Sequence, residues 1–328
     1  MFKTIVTIII AALLVVSCGE PNNPEDYTGG YKIVKKVVTH GDANDVVVDG
    51  NYAYIAQGEG GLAIIDISNP SNALLVKNVS GLDGYSTKLV KKDNVVFLAA
   101  GTSGFNRVEV SDPSNPNGIP QDINGKLVNL HLMGNYLATS LSERGFNFYF
   151  IRDGFKPVDR RRSYPVNTDG FTNGITTTMD ESKLFAATGE MGLSLYDISI
   201  FDLGYGDYPL MSKVDLPGYA ESVVLDDSKN IAYVACGNKG IQVVDYSDSS
   251  NMKIIGFYDT AGYVKEIIFE NNKLYITASG LQVFDVSTPS NPKILGIVDT
   301  EYALGVTIDE NYIYVADKEE GLIIIGKK

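Results

Sequence analysis

Residues 61–66 read Gly61-Leu-Ala-Ile-Ile-Asp66, and the same pattern of glycine, alternating apolar run and aspartate recurs at Gly192-Leu-Ser-Leu-Tyr-Asp197, Gly240-Ile-Gln-Val-Val-Asp245 and Gly280-Leu-Gln-Val-Phe-Asp285. Weaker copies span residues 104–109, 145–150 and 321–326. The seven glycines that begin these segments are 40 to 48 residues apart. A fixed period of this length is typical of repeat architectures in which each repeat is one structural unit. The sequence therefore predicts seven repeats.

Each repeat contains four short runs rich in β-branched and aromatic residues. In the fifth repeat these include Val223-Val-Leu225, Ile231-Ala-Tyr-Val-Ala235 and Lys253-Ile-Ile255, beside the run that follows Gly240. Gly, Asn, Asp and Pro separate the runs, a pattern that predicts strands joined by turns. No helical period is sustained after residue 30. Four strands in each of seven repeats predict an all-β fold, a seven-bladed β-propeller of four-stranded blades.

The two ends of the chain are predicted to share one blade. The seventh repeat ends at Lys328, just after its third strand, so its outermost strand is missing. Residues 31–39, Tyr31-Lys-Ile-Val-Lys-Lys-Val-Val-Thr39, are similar to the fourth strands Met252-Lys-Ile-Ile-Gly-Phe-Tyr-Asp259 and Pro292-Lys-Ile-Leu-Gly-Ile-Val-Asp299. We expect this N-terminal strand to close the ring and to cover an edge of unpaired backbone groups. The propeller is thus predicted over residues 31–328.

Two segments carry a resemblance to a known family. Leu62-Ala-Ile-Ile-Asp-Ile-Ser-Asn-Pro70 and Leu281-Gln-Val-Phe-Asp-Val-Ser-Thr-Pro289 resemble the LVIVD repeat of bacterial and archaeal secreted or surface proteins. The resemblance recurs in register over about residues 45–326 and fades in the third repeat, where Phe150 and Ile151 replace the aspartate and its successor. It implies a propeller on the cell surface or in the periplasm, and it implies no established chemistry.

The N-terminus predicts export and a lipid anchor. A charged start followed by an apolar run over residues 5–16 makes residues 1–17 a secretory signal peptide, with an uncleaved anchor as the alternative. Val15-Val16-Ser17-Cys18 resembles the lipobox of bacterial lipoproteins, which implies cleavage before Cys18 and acylation of that residue, palmitate included. Gly19 then favours the outer membrane over the inner one. Residues 18–30 are rich in Pro, Gly and Asn and are predicted to be a flexible tether.

Composition excludes several classes of function. The formal net charge of −13 argues against a nucleic-acid partner, because a phosphate backbone would not be neutralised. Two cysteines and two histidines argue against a disulfide scaffold and against a zinc site of Cys and His. The chain has no tryptophan, which argues against the quinone-cofactor propellers. No metal, cofactor or catalytic residue is expected.

Several reactive residues are better explained by structure than by chemistry. Each repeated aspartate ends a strand and precedes a turn, where its carboxylate bonds to backbone amides; these residues are Asp66, Asp197, Asp245 and Asp285. His40 and His131 lack the neighbours of a catalytic triad, and Cys236 is expected to be a small buried residue. The basic cluster at residues 160–162 is interpreted as a charged edge strand, with binding of an anionic partner as the alternative.

One set of loop residues stands out as a candidate binding site. Alignment of the repeats on their first strands puts these residues at one position, four before the strand: Asp42, Tyr85, Lys126, Thr172, Tyr219, Tyr263 and Tyr302. Nearby residues vary more between repeats: Asp45, Lys88, Glu221, Lys265 and Glu266. Tyrosine suits recognition of peptides or sugars, whereas the alternative is that each tyrosine is a wedge packed against the next blade. In the fourth repeat Phe171 lies one place before Thr172. The candidate residues are Tyr85, Phe171, Tyr219, Glu221, Tyr263, Lys265 and Tyr302.

The predicted function is a membrane-anchored extracytoplasmic module that binds a protein or a glycan at the channel mouth. One alternative is a polysaccharide lyase or hydrolase on a propeller scaffold, which would need paired carboxylates or a His–Tyr pair at one channel mouth. Another is a structural component of a surface assembly, favoured if the rims of the blades are more apolar than the channel face. Fold alone does not decide between these functions.

Overall fold

The repeats fold into seven antiparallel β-sheets, the blades of a β-propeller. The computed structural model describes residues 28–121, 126–151, 166–199 and 208–327. In these residues six sheets have four strands and the sheet of the third blade has three. Strands that are consecutive in sequence are hydrogen-bonded neighbours within each of the first six blades. The predicted all-β, seven-bladed fold is confirmed.

The strands are numbered along the chain. The N-terminal strand is β1 (Lys32–Val37). Blade 1 contains β2 (Asp45–Asp49), β3 (Tyr52–Ala56), β4 (Leu62–Asp66) and β5 (Leu74–Val79), with a 3-10 turn at Pro70–Asn72. Blade 2 contains β6 (Lys88–Lys92), β7 (Val95–Ala99), β8 (Phe105–Glu109) and β9 (Asn117–Gln121). Blade 3 contains β10 (Asn129–Met133), β11 (Tyr136–Ser140) and β12 (Phe146–Phe150).

The remaining blades follow the same order. Blade 4 contains β13 (Gly174–Thr177), β14 (Lys183–Ala187), β15 (Leu193–Asp197) and β16 (Leu210–Val214). Blade 5 contains β17 (Ser222–Asp226), β18 (Ile231–Ala235), β19 (Ile241–Asp245) and β20 (Lys253–Tyr258). Blade 6 contains β21 (Glu266–Glu270), β22 (Lys273–Ala278), β23 (Gly280–Asp285) and β24 (Lys293–Val298). Blade 7 contains β25 (Ala303–Ile308), β26 (Tyr312–Asp317) and β27 (Gly321–Gly326).

The hydrophobic core is divided among the interfaces between neighbouring blades. The second and third strands of each blade are almost wholly buried, and β7 and β18 are buried along their whole length. Their continuous apolar runs fit this position, because both faces of the sheet pack against another blade. Outer strands such as β20 are mostly exposed. The strand signal is therefore strongest where the blade is most buried.

The strand β1 completes blade 7, as the similarity of residues 31–39 to the fourth strands predicted. It pairs antiparallel with β27, from Lys32 opposite Gly326 to Val37 opposite Leu322. The Val37 side chain enters the core between blades 7 and 1, whereas Tyr31 enters the core between blades 6 and 7. One short strand thus seals the sheet edge and contributes to both flanking interfaces.

Three segments singled out in the sequence lie outside the described residues. They are the signal peptide with Cys18, most of the tether, and the arginine cluster at residues 160–162. Within the described ranges no helix is both long and apolar enough to cross a membrane. The end of the tether that is described, Thr28–Gly30, forms a turn in which the Thr28 carbonyl accepts a 2.9 Å hydrogen bond from the Tyr31 amide.

Candidate functional site

The register between the first and second strands defines equivalent positions in the seven blades. Asp45 pairs with Ala56 and Lys88 pairs with Ala99. The corresponding residues of the other five blades are Asn129, Gly174, Ser222, Glu266 and Gly305. In each blade one loop residue lies three places before this position. We call these seven residues the mouth ring: Asp42, Tyr85, Lys126, Phe171, Tyr219, Tyr263 and Tyr302.

This register corrects the sequence alignment in the fourth blade. Thr172 was assigned to the tyrosine position, but it forms an isolated bridge with Ser142, equivalent to the bridge between Ala220 and Gly189 one blade later. Phe171 therefore occupies the aromatic position, and five of the seven members of the mouth ring are aromatic. The one-residue error arose because the short β13 offers little sequence signal for its first residue.

Three tyrosines of the mouth ring lie on glycines of the preceding blade. A Cβ atom on Gly58, Gly189 or Gly237 would come within 3.0 Å of the ring of Tyr85, Tyr219 or Tyr263, respectively. Each glycine has a positive φ in the turn that joins the second and third strands. The tyrosine rings therefore bridge neighbouring blades, as the wedge interpretation requires, and they do so at the surface.

The hydroxyl groups of two tyrosines bond to acidic residues of the preceding blade. Tyr85 donates to Asp42 over 2.8 Å, and Tyr263 donates to Glu221 over 2.5 Å. Burial, reinforced by the bond to the Glu221 carboxylate, raises the pKa of Tyr263. Phe171 has no such anchor and is 46% exposed, and Tyr302 is 56% exposed beneath the ammonium group of Lys318. The mouth ring thus combines tyrosines that are fixed by hydrogen bonds, Tyr85 and Tyr263, with exposed aromatic rings, Phe171 and Tyr302.

The mouth ring surrounds a cavity of about 450 Å³ at one end of the central channel. One residue from every blade lines it, at the position two places after the mouth ring; we call these residues the pocket ring, and they are Asn44, Thr87, Val128, Asn173, Glu221, Lys265 and Leu304. Lys126, Phe171 and Tyr219 of the mouth ring also line the cavity. Seven equivalent positions therefore converge on one site with six different types of side chain, since only asparagine occurs twice.

Two ion-pair systems set the charge of this cavity. Lys265 pairs with Glu221 over 2.6 Å, and this carboxylate also accepts the Tyr263 hydroxyl bond. Lys88 pairs with Glu266, which also accepts a 2.9 Å bond from the Ser222 hydroxyl. Burial lowers the pKa of Lys88, and the nearby carboxylate of Asp45, 3.5 Å away, opposes this shift. Both glutamates are therefore held by cations and hydroxyl groups.

Lys126 provides a cation without an ion-pair partner among the described residues. It is exposed and lines the cavity beside Phe171. In contrast, two asparagines of the pocket ring have a structural task, since Asn44 and Asn173 donate 2.9 Å bonds to the Ser86 and Ala220 carbonyls of the next blade. The mouth-ring residues that line the cavity, Lys126, Phe171 and Tyr219, thus belong to blades 3 to 5.

A second cavity of about 340 Å³ is lined by residues from the first strand of all seven blades, including Lys88, Asn129 and Glu266, which also line the mouth. His131 lies there with its Nε2 atom 3.1 Å from the Thr177 hydroxyl oxygen. Burial lowers the pKa of His131 to about 4, so its imidazole is neutral at physiological pH. The mouth cavity therefore continues into the channel.

The residues assigned a structural role from the sequence behave accordingly. Asp66, Asp197, Asp245 and Asp285 each accept a hydrogen bond of 2.8 to 2.9 Å from the amide of the serine two residues later. Cys236 is fully buried, and burial raises the pKa of its thiol to about 12. His40 bonds through its backbone amide to the Gln57 side chain. No cluster of three or more His, Cys, Asp or Glu side chains suited to a metal ion occurs in the described ranges.

The sequence analysis brought the right loops together but left three residues of the site out of its candidates. Lys88, Glu266 and Lys126 line the cavity but were not among the candidates. Their signal was the variation between repeats at positions beside the tyrosines. The candidates Phe171, Tyr219, Glu221 and Lys265 line the cavity, whereas Tyr85, Tyr263 and Tyr302 stand around it in the mouth ring.

The rim of the propeller is a second exposed apolar region. Large apolar side chains are exposed on the outer strands within the described residues: Ile33, Leu74, Leu210, Ile254, Ile255, Phe257, Ile294 and Leu295. The exposed apolar residues of the mouth face are fewer and mostly aromatic: Tyr85, Phe171, Met191, Tyr263 and Tyr302. Aliphatic surface is thus concentrated on the rim.

Comparisons with known proteins agree with this architecture. The LVIVD repeat family matches residues 40–80, 217–260, 261–300 and 302–325. The crystal structure of the WD40 β-propeller domain of Doa1 superposes with a TM-score of 0.69 at 11% identity, over 91% of this chain and 97% of that one. The computationally designed Ika8 protein gives a TM-score of 0.62 at 10% identity, over 90% and 99%. No curated protein sequence matches the chain. At these identities the solved structures support the fold alone.

Proposed function

We propose that this seven-bladed propeller, in which four segments match the LVIVD repeat, is a lipid-anchored lipoprotein of the bacterial cell envelope whose channel mouth binds a protein or an extracellular polymer. The anchor is the acylated Cys18, and the location is the outer membrane. The lipobox-like sequence before Cys18 supports this part of the proposal. The mouth is the binding face, and no nucleic acid is involved.

The observation that carries the binding proposal is the pocket ring. Structural residues of a repeat protein recur from repeat to repeat, because each repeat must build the same unit. The pocket ring instead places six different residue types at its seven positions around one cavity, with amide, hydroxyl, aliphatic, acidic and basic groups. A concave site with a few converging polar groups and an aromatic border is the usual form of a binding site.

The state of the two glutamates favours binding over hydrolysis. A glycosidase or lyase needs a carboxyl group free to exchange a proton with its substrate. Glu221 is held by Lys265 and Tyr263, and Glu266 is held by Lys88 and Ser222. A structural role in a surface assembly is the second candidate function, and the exposed aliphatic side chains of the rim favour it.

A matched pair of phenylalanine variants tests the mouth as the binding face. Phe171 lies in the mouth ring and Phe257 on the rim, and both side chains are well exposed. We expect Phe171→Ala combined with Lys126→Ala to reduce capture of envelope proteins or polysaccharide by the immobilised protein at least about tenfold, as for a central binding residue. Phe257→Ala should leave this capture unchanged. Equal capture by both variants and the wild-type protein would show that the mouth is not the binding face.

A further inference from the structure

The outer strands of three consecutive blades share one unusual composition. They are β20 of blade 5, β24 of blade 6 and β1 of blade 7, with the sequences KIIGFY, KILGIV and KIVKKV. Together they hold five lysines and no acidic residue, in a chain whose net charge is −13. Their exposed apolar side chains are Ile33, Ile254, Ile255, Phe257, Ile294 and Leu295. We call these three strands the basic rim.

The geometry of the strands places most of these side chains away from the channel mouth. Lys253 lies opposite Asp245, and Lys293 lies opposite Asp285, at the ends of β19 and β23 that are remote from the mouth. Lys32 lies opposite Gly326 at the corresponding end of β27. The aliphatic residues that follow each of these lysines therefore occupy the half of the rim farther from the mouth ring.

The N-terminal segment meets the body of the protein at this same rim. A Cβ atom on Gly29 would come within 1.7 Å of the Leu295 carbonyl oxygen, and one on Gly296 would come within 2.4 Å of the Thr28 carbonyl oxygen. Such close backbone approach fixes Thr28–Gly30 against β24. Thr28 lies ten positions after Cys18, a span that reaches at most about 35 Å when it is fully extended. Whatever holds Cys18 is therefore never far from the basic rim.

We propose that the basic rim docks on the surface of the lipid bilayer that holds the anchor, so that the propeller stands on its edge. This proposal rests on the proposed lipidation of Cys18. Exposed aliphatic and aromatic side chains flanked by lysines suit the interface between headgroups and acyl chains of an anionic membrane. The lysines of the basic rim, apart from Lys36, which pairs with Glu320, are available to attract an anionic surface. The mouth ring then stays clear of the bilayer and open to solvent.

The absence of tryptophan allows a direct optical test. A Phe257→Trp variant carries its single indole on the basic rim, and a matched Phe171→Trp variant carries it at the mouth. Both lipoproteins are placed in vesicles of phosphatidylethanolamine and phosphatidylglycerol with brominated acyl chains, which quench tryptophan in the bilayer. We expect Phe257→Trp to lose at least half of its fluorescence relative to unbrominated vesicles, and Phe171→Trp to stay unchanged. Equal quenching of the two, or none, overturns the proposal.

Flotation of the same vesicles separates the failure of docking from the failure of the anchor. We expect the wild-type lipoprotein to float with the vesicles and Cys18→Ala to stay behind. If the wild-type lipoprotein does not float, the anchor and the docking proposal are both overturned. If the lipoprotein floats and Phe257→Trp is not quenched, the anchor stands and docking is wrong. A blue shift of the Phe257→Trp emission that depends on protein concentration and persists in detergent means that a second copy covers the rim, which also overturns membrane docking.

Discussion

At the scale of single residues, the contact between blades at the mouth depends on turn glycines. The second residue after the second strand, in the turn to the third strand, is a glycine with positive φ in blades 1, 2, 4 and 5: Gly58, Gly101, Gly189 and Gly237. A tyrosine of the next blade lies over three of these glycines, whereas Gly101 faces open space because the next blade has Lys126 there. The chain thus contains its own control for the effect of the tyrosine.

We predict that Gly237→Ala destabilises the protein more than Gly101→Ala does. Both substitutions put a side chain at a φ of 53° or 58°, which costs about 1 to 2 kcal/mol. At Gly237 the new methyl group would also displace the ring of Tyr263, whose hydroxyl group is bonded to Glu221. Loss of that bond adds about 1 to 2 kcal/mol, measurable by urea denaturation. In a Tyr263→Ala background the two glycine substitutions should cost the same, and a persisting difference would contradict this account.

Sequence periodicity predicted the position of the mouth but not its chemistry. Glycines, aspartates and tyrosines recur with the repeat, so one sequence sufficed to place them in turns and equivalent loops. The ion pair between Lys88 and Glu266 joins residues that are 178 positions apart. Neither residue belongs to a recurring pattern, and their proximity follows only from the geometry of the closed ring. The exact alignment of Phe171 likewise depended on strand register, which a four-residue strand specifies weakly.

At the scale of secondary structure, β1 does more than fill an empty edge. The count of strands in the seventh repeat predicted this pairing, because three strands at one end of the chain required a fourth from the other end. The sequence did not predict that Tyr31 and Val37 would enter different interfaces. This division follows from the bulge between Ile33 and Lys35, because one extra residue reverses the alternation of side chains and puts Tyr31 and Val37 on opposite faces of the sheet. The described end of the tether also packs against β24, where the sequence predicted flexibility.

Deletion of residues 31–39 should therefore destabilise the whole propeller, whereas deletion of residues 20–27 should not. The first deletion removes the pairing with β27 and two buried side chains, Tyr31 and Val37, each worth about 2 kcal/mol. At about 2 to 4 °C per kcal/mol we expect the melting temperature to fall by about 10 °C or more. Differential scanning calorimetry of both deletions measures this difference. Equal melting temperatures would mean that β1 does not close the ring.

At the scale of the whole molecule, ring closure makes distant interfaces depend on one another. Each blade contacts two neighbours, so no interface can open widely unless the ring is broken elsewhere. Cys236 is a natural probe of this constraint, because it lies in the core between blades 4 and 5, on the far side of the ring from β1. Its thiol is fully buried, which keeps an alkylating reagent away, and its pKa is raised to about 12, which keeps it in the unreactive protonated form.

We predict that deletion of residues 31–39 accelerates the labelling of Cys236 by a maleimide at least about tenfold, at a temperature well below the melting transition of the deletion variant. The physical reason is that an open ring lets blades 4 and 5 separate without unfolding, which lowers the free energy of the opening that exposes the thiol. Mass spectrometry of the purified protein in detergent measures the rate, and Cys236→Ser is the control for any other reactive thiol. If the deletion lowers the melting temperature but leaves the labelling rate unchanged, the blades are held only pairwise and the closing strand stabilises blade 7 alone.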